Sequence, residues 1–249
     1  MILIKSAEEM AVMAQAGRIC ALALEAVRGI IAPGISTKDI ERFAHDLIRE
    51  KGGRSAFLGY RGYPASICAS VNDQVVHGIP SERKLREGDI ISVDLGVDYD
   101  GFYGDAARTF AVGRISEDAQ KLMRVTEESL ELGIGKAVAG GRLSDISHAI
   151  QSHVETSGLS VVRSFVGHGI GRSLHEEPQV PNFGPPGKGP RLLRGMALAI
   201  EPMVNAGTWK VRVLEDGWTA VTEDGSLSAH YEHTVIVDEG RPVVLTRLS

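Results

Sequence analysis

Apolar residues recur at helical spacing in four stretches of the chain, each bounded by capping or stop signals. Ser6 begins a capping-box pattern, Ser-x-x-Glu, and the apolar face behind it continues to Pro33 and Gly34. Glycine also ends the second and fourth stretches, at Gly52 and Gly158. These signals predict four helices, which begin at Ser6, at Ser36 or Thr37, at Ser116 and at Ser144.

Runs of β-branched and alternating apolar residues predict strands between and after these helices. The stretch 178–190 is rich in proline and glycine and predicts a long irregular loop. The predicted strands lie at residues 67–71, 75–76, 159–166 and 196–204, in hairpins at 87–113 and 209–221, and at 227–237.

The hairpin at residues 87–113 carries two aspartates inside apolar strands, Asp94 in ISVDLG and Asp105 in YGDAAR. If its loop is the four residues 98–101, Asp94 lies directly opposite Asp105, with Cβ atoms about 5 Å apart. Two buried carboxylates at that distance need a shared proton or a bound cation. The alternative is a longer loop that turns one aspartate to solvent.

Landmarks of the first half recur in the same order in the second half, which suggests an old internal duplication. Gly88 corresponds to Gly195, and Asp94 then falls on Glu201. The helix-start and loop landmarks that also correspond are Asp39 with Asp145 and Phe57 with Phe165. Two similar halves of helices and strands would pack about a pseudo-two-fold axis.

The duplication predicts that four acidic residues converge. Asp94 and Glu201 lie in equivalent strands, and Asp105 and Glu232 lie in the equivalent return strands. His168 is the one nitrogen donor that the pattern places nearby. Four carboxylates are balanced by two divalent cations, and two metal ions about 3.5 Å apart form a recognised hydrolytic arrangement.

Composition narrows the class of protein. The chain has 249 residues, 43% of them hydrophobic, and a net charge of -5, which argues against a surface devoted to nucleic acid. Only Cys20 and Cys68 are present, which favours a reducing compartment. No signal peptide is evident, and charged residues interrupt the apolar stretch 11–32. We therefore expect a cytoplasmic protein with no membrane span and no direct nucleic-acid site.

The motifs taken together resemble those of the type I methionine aminopeptidases, which have the pita-bread fold. The matching segments cover essentially the whole chain and read HGIP, SVDLG, GDAARTF, VGHGIGRSLHEEP, LAIEPM and DGWTAVTEDGSLSAHYEHT. The resemblance implies an α+β fold in which a curved antiparallel sheet is covered by helices. It also implies one catalytic domain over 1–249, with related halves at about 1–113 and 114–249.

The resemblance also implies the site residues. The expected metal ligands are Asp94, Asp105, His168, Glu201 and Glu232, with Asp105 and Glu232 bridging two divalent ions of cobalt, manganese, iron, zinc or nickel. The expected catalytic residues are His77, His175 and Glu201. The expected substrate-binding residues are Tyr60, Tyr63, Cys68, His77, His175 and Trp218, while Phe57 and Leu174 depart from some bacterial members.

The implied reaction is removal of the initiator methionine when the second residue is small. A metal pair would make hydroxide available near neutral pH, Glu201 would move the proton, and His175 would stabilise the oxyanion. His77 would contact the scissile amide nitrogen. The expected partners are the N-termini of nascent chains and the ribosome, and the enzyme is expected to act as a monomer. Its own Met1 is followed by Ile2, so we expect Met1 to be retained.

Two other functions fit parts of the pattern. One is a proline-directed peptidase of the same fold, although such relatives generally carry an extra N-terminal domain. The other is a metal-free pita-bread binding module, in which we would expect one or more of the metal-ligand residues to be replaced. His230 and His233 flank Glu232, and we expect both to face away from it.

Overall fold

The computed structural model describes residues 1–248. Its α-helices in that range are α1 (Ala7–Ile30), α2 (Thr37–Glu50), α3 (Glu117–Ile134) and α4 (Leu143–Thr156). Reciprocal capping boxes begin α1 at Ser6 and α2 at Ser36, and the Ser116 hydroxyl caps α3. The fourth helix begins one residue before the predicted Ser144, because the Asp145 carboxylate accepts the backbone N–H of Arg142 at 2.9 Å.

Strands in the described chain form one large sheet and two small ones. The strands are β1 (Arg54–Ser55), β2 (Cys68–Val71), β3 (Gln74–Val76), β4 (Ile90–Tyr99), β5 (Phe102–Ala111), β6 (Ser160–Val161), β7 (Gly167–Gly169), β8 (Glu176–Val180), β9 (Ala197–Ile200), β10 (Met203–Asn205), β11 (Val211–Val213), β12 (Ala220–Thr222), β13 (Ser228–His230), β14 (Glu232–Ile236) and β15 (Val243–Val244). The large sheet has the order β1-β4-β5-β14-β9-β7-β8, with β2 on β4 and β15 on β14.

The pairing of β5 with β14 lies at the middle of the large sheet, and β4 and β9 flank this pair on either side. All four strands run antiparallel to their neighbours. Helices α1 and α2 pack with β4 around one apolar core, and α3 and α4 pack with β9 and β14 around another. The order of the four central strands is therefore symmetric about the β5–β14 pair, whereas the division of the chain near residue 113 stays a prediction.

Helix α1 lies directly against β5. A Cβ atom added to Gly104 would come within 2.7 Å of the Gly17 backbone nitrogen, so these two glycines allow the backbones to touch. By length and composition α1 could cross a membrane, but half of its most apolar window is buried inside the protein. The core helices of globular proteins commonly meet the same criteria.

The predicted register of the long hairpin is wrong by two residues. Tyr99 pairs with Phe102, so the loop is the two residues Asp100 and Gly101, whose φ angles of 51° and 77° suit a primed turn. Asp94 consequently pairs with Ala107 rather than with Asp105. Because the register shift is an even number of residues, both aspartates still lie on one face of the sheet, as diagonal neighbours.

Two other predicted segments differ in the structure. Strand β8 occupies the start of the predicted loop 178–190, where Gln179 pairs with His168. The predicted strand 196–204 is interrupted at Glu201 and Pro202, and its two parts, β9 and β10, join different sheets. Proline lacks the N–H that a continuous ladder needs, so the break follows from Pro202. It leaves Glu201 just beyond the end of a central strand.

Only part of the predicted strand 159–166 forms. Within it the structure has the short β6, while residues 162–166 lie outside any strand.

Candidate metal centre

The five expected metal ligands lie on adjacent strands of the large sheet. Asp94 is on β4, Asp105 on β5, Glu232 at the start of β14, His168 on β7, and Glu201 directly after β9. All five line one cavity of about 150 Å³. The other expected site residues line it too, namely Tyr60, Tyr63, Cys68, His77, His175 and Trp218, together with Phe57, Arg61 and Leu174.

His168 lies close to three of these carboxylates. Its Nε2 is 3.8 Å from Oδ2 of Asp105 and 3.5 Å from Oε1 of Glu201. Ligand atoms of Asp105, His168 and Glu232 all lie within 4.8 Å of one another. The Nδ1–H of His168 donates to its neighbour's carbonyl, that of Gly169, at 2.9 Å, which leaves the Nε2 lone pair facing the carboxylates.

Burial sets the protonation of the carboxylates. It raises the pKa of Asp105 to about 7, and burial followed by repulsion from Asp105 raises the pKa of Asp94 and of Glu232 well above the usual range. Burial, followed by repulsion from Asp94 and Asp105, also raises the pKa of Glu201 well above the usual range. Burial also lowers the pKa of His168 to about 4, so its imidazole is neutral at pH 7. Without a cation the carboxylates would therefore retain protons.

Several buried oxygens of the cluster have no hydrogen-bond partner. They are Oδ1 of Asp94, Oδ1 of Asp105 and Oε1 of Glu232. An orphaned buried acceptor is costly, and a bound cation is one way to satisfy it. Carboxylate oxygens combined with one neutral imidazole form a donor set that accepts divalent transition metals. The residues therefore fit a metal, although the complete ligand set stays a proposal.

His175 lies beside the cluster and is held by its neighbours. Its Nδ1 is 2.9 Å from the Tyr60 hydroxyl, and the two rings stack with centroids 5.3 Å apart. The His175 and His168 ring centroids are 4.1 Å apart. Packing of the ring, followed by the adjacent His168 and Arg61, lowers the pKa of His175, so the imidazole is neutral at pH 7.

His77 lies at the end of β3 with a φ of 60°, an uncommon backbone conformation for a residue with a side chain. Its ring meets Phe165 and Trp218 edge to face, with centroids 5.5 Å and 6.3 Å away. The aromatic contacts hold the imidazole at the cavity wall, and burial lowers its pKa. A strained backbone at a cavity wall is typical of functional positions.

An apolar slot opens onto the carboxylates. The Tyr63 and Trp218 ring centroids are 5.0 Å apart, and Phe57 packs edge-on against Tyr63 with ring centroids 6.5 Å apart. The Tyr63 hydroxyl is within 3.1 Å of the carbonyls of Ile67 and Gly78, which fixes the ring. Cys68 and Leu174 are buried and complete the wall.

The expectation that His230 faces away from the cluster is wrong. His230 is two residues from Glu232, so an extended backbone turns both side chains to the same side. Its Nε2 lies 3.7 Å from Oε2 of Glu201. His233, one residue from Glu232, does face away and has its Nδ1 2.8 Å from the Thr246 hydroxyl. The even spacing of His230 was the signal that could have identified it.

A buried ion pair supports the segment that carries His175. The Lys5 Nζ donates to Oε2 of Glu176 at 2.7 Å, with side-chain exposures of only 3% and 7%. Oε1 of Glu176 accepts the backbone N–H groups of Arg172 and Ser173 at 2.7 Å and 3.2 Å. A Cβ atom at Gly171 would collide with the Lys5 side chain. The N-terminal segment thus fastens the loop that precedes β8.

Comparisons with known proteins agree with this geometry. The model of metallopeptidase family M24 matches residues 11–239. Methionine aminopeptidase 1 of Bacillus subtilis is 53% identical over 248 residues, covering 100% of both chains. The crystal structure of methionine aminopeptidase from Thermotoga maritima superimposes with a TM-score of 0.98 at 50% identity, covering 100% of both chains. The pita-bread fold expected from the sequence is confirmed.

The same fold also occurs in a peptidase of different specificity. The Xaa-Pro dipeptidase of Bacillus anthracis matches with a TM-score of 0.79 at 23% identity, and the match covers 99% of this chain and 62% of that one. At this identity the likeness shows the fold alone.

Proposed function

The chain belongs to metallopeptidase family M24, and from this membership we infer that it is a metal-dependent aminopeptidase that removes N-terminal methionine from peptides and nascent proteins. The observation that carries the inference is the buried carboxylate cluster with unpaired oxygens, which opens onto an apolar slot. An exopeptidase for methionine needs both parts side by side, because the side chain of the first residue must be held next to the scissile bond.

We propose that Asp94, Asp105, His168, Glu201 and Glu232 would hold two divalent ions. When bound, such ions supply Lewis-acid charge and lower the pKa of water at the site. The Nε2 lone pair of His168 is kept available by the bond from Nδ1–H to the Gly169 carbonyl. Oε1 of Glu201 lies 3.5 Å from this nitrogen, and we propose that it takes a proton from the attacking water.

The two histidines next to the cluster are proposed to act on the peptide itself. If the Tyr60 hydroxyl donates to Nδ1 of His175, the proton of that imidazole is on Nε2, where it can donate to the developing oxyanion. His77, fixed between Phe165 and Trp218, is proposed to contact the nitrogen of the scissile amide. Both imidazoles are neutral at pH 7, which suits hydrogen-bond donation without added charge.

The slot is proposed to hold the methionine side chain. Tyr63, Trp218 and Phe57 present ring edges and faces to it, and a thioether makes favourable contacts with aromatic rings. An unbranched, flexible side chain can enter between these fixed rings, whereas a β-branched one is stiff at χ1. We therefore propose methionine as the first residue, and the family resemblance implies a small second residue.

A matched peptide pair tests the function. Metal-stripped protein is incubated with Met-Ala-Ser or Met-Ile-Ser, with and without added Co²⁺ or Mn²⁺. We expect methionine release only with metal, and much faster release from the alanine peptide. Absence of release with Co²⁺, Mn²⁺, Fe²⁺, Zn²⁺ or Ni²⁺, combined with no metal binding by calorimetry, would favour the metal-free binding module instead.

Paired variants test the role of Glu201. At saturating metal, Glu201→Gln should lower kcat about 100-fold or more, because general acid–base catalysis contributes that much. Glu223→Gln is the matched control, since Glu223 lies on an exposed turn and its nearest cation, Lys210, is 3.9 Å away. Full turnover by Glu201→Gln with both metals bound would show that another group moves the proton.

The cellular setting is also proposed. Nascent polypeptide N-termini are the substrates that follow from the activity. Action near the ribosome, as a monomer and in the cytoplasm, rests on the family resemblance, and co-sedimentation with ribosomes together with the sedimentation velocity of the free protein would test it.

A further inference from the structure

His230 is buried beside the carboxylate cluster and neither of its ring nitrogens has a hydrogen-bond partner. Only 1% of the residue is exposed to solvent. An imidazole placed so deeply in a core costs free energy unless a donor or acceptor meets it, and an apolar side chain of similar size would avoid that cost. This arrangement needs an explanation beyond packing.

The backbone of His230 is fixed on both sides. The Thr109 hydroxyl oxygen accepts the His230 N–H and donates to the His230 carbonyl, at 2.9 Å in each case. The Ser92 hydroxyl is 2.8 Å from the same Thr109 oxygen. Because the Thr109 proton is already donated to the His230 carbonyl, Ser92 is the donor to Thr109. Strand β13 is also paired with β10, where His230 faces Met203. The backbone that carries the imidazole is therefore fixed by β5 and β10.

The held ring is directed at one oxygen of Glu201. Nε2 of His230 lies 3.7 Å from Oε2, whereas the other oxygen, Oε1, lies 3.5 Å from Nε2 of His168. The two oxygens of this carboxylate thus face different histidines. The 3.7 Å separation exceeds a direct hydrogen bond by a few tenths of an ångström, so a small rotation of the Glu201 carboxylate completes the link.

We propose that His230 is a positioning residue, whose Nε2–H donates to Oε2 of Glu201 and thereby keeps Oε1 directed at the metal centre. This inference rests on the proposed function. Glu201 follows the end of β9 and precedes Pro202, so its backbone lies outside the strand ladder. The Nε2–H of His230, whose backbone is fixed by Thr109, orients the Glu201 carboxylate at this interrupted part of the strand.

Three variants test the proposal. His230→Leu removes the donor, His230→Gln keeps one, and His233→Leu is the control, because it removes a partly buried imidazole on the other face of the sheet. Binding of Mn²⁺ is measured by calorimetry, kcat and KM are measured with Met-Ala-Ser at saturating Mn²⁺, and thermal unfolding reports folding. We expect His230→Leu to lower Mn²⁺ affinity or kcat about 10–100-fold with KM changed less than about 3-fold.

The donor-retaining variant separates positioning from packing. His230→Gln should remain within about 5-fold of the wild type, and His233→Leu should change neither metal affinity nor kcat. Wild-type affinity and kcat in His230→Leu would overturn the proposal, as would the loss of one whole bound ion, which would make His230 a ligand. A drop in unfolding temperature alone would also overturn it, because that is what a purely structural residue gives.

A spectroscopic measurement on the wild type does not depend on the folding of any variant. In ¹⁵N-histidine-labelled wild-type protein loaded with Zn²⁺, long-range ¹⁵N–¹H spectra should show His230 protonated at Nε2. A proton on Nδ1 instead would overturn the proposal. If the wild type released no methionine, the proposed function would fail, yet the metal-binding and NMR results would still decide the role of His230.

Discussion

Lys5→Met should destabilise the protein through a buried partner far away in the sequence. Lys5 and Glu176 are 171 positions apart, and both side chains are almost fully buried. Removing one member of a buried pair typically costs about 3–5 kcal/mol, because the remaining charge is left without its counterion. Glu176 keeps two backbone N–H donors, so we expect the lower end, about 3 kcal/mol.

The assay is thermal or urea unfolding with an exposed pair as the control. For a domain of this size, about 3 kcal/mol corresponds to a fall in Tm of about 6–12 °C. Arg28→Met removes one partner of the Arg28–Glu25 pair, whose side chains are 60% and 49% exposed, and should cost less than about 1 kcal/mol. Equal Tm values for Lys5→Met and Arg28→Met would refute the reasoning.

The same variant should also affect turnover. Glu176 follows His175 directly, and its carboxylate organises the preceding turn through Arg172 and Ser173. Loosening that turn should lower kcat with the metal stoichiometry unchanged, because the five proposed ligands lie elsewhere. Loss of bound metal in Lys5→Met would show that the ion pair supports the cluster rather than His175.

Further predictions concern protons, packing and processing. Metal-free protein should become less stable as pH rises from about 6.5 to 8, because the folded state keeps a proton on Asp105, whose pKa is about 7, that the unfolded chain has already released. Below about pH 6.5 the buried histidines oppose this trend, because burial lowers their pKa values and the unfolded chain binds their protons. Added Mn²⁺ should reverse the loss, and a stability that rises with pH above about 6.5 in chelator would contradict the reasoning. Gly104→Ala should lower Tm, since the new Cβ would come within 2.7 Å of the Gly17 backbone, whereas Gly29→Ala, with no atom within 4 Å, should not. Intact-mass measurement should find Met1 retained ahead of Ile2, and loss of one methionine would show that a branched second residue is accepted.

Local signals in the sequence predicted the helices well. The caps at Ser6, Ser36 and Ser116 act within one turn, so a short window contains the whole interaction. The prediction of the hairpin register was wrong because the segment DYDG suits both a four-residue and a two-residue loop. The structure uses the two-residue loop because Asp100 and Gly101 accept positive φ.

Long-range features were predicted unevenly. The comparison of the two halves predicts that Asp94, Asp105, Glu201 and Glu232 converge, and all four line one cavity. The sequence contains no comparable signal for the Lys5–Glu176 pair, since nothing in either segment specifies the other. His230 was missed through an error of parity, although its even spacing from Glu232 was visible in the printed chain.

The β5–β14 pair also determines when a metal can be bound during synthesis. Asp105 donates its backbone N–H to the Thr234 hydroxyl, 129 positions later, and Glu232 lies opposite Ala107 across the same pair. No ribosome-bound chain that ends before β14 can assemble the carboxylates of both halves. If these carboxylates hold the metal, as proposed, its uptake follows completed assembly of the sheet, and an incomplete chain would lack half of the ligands.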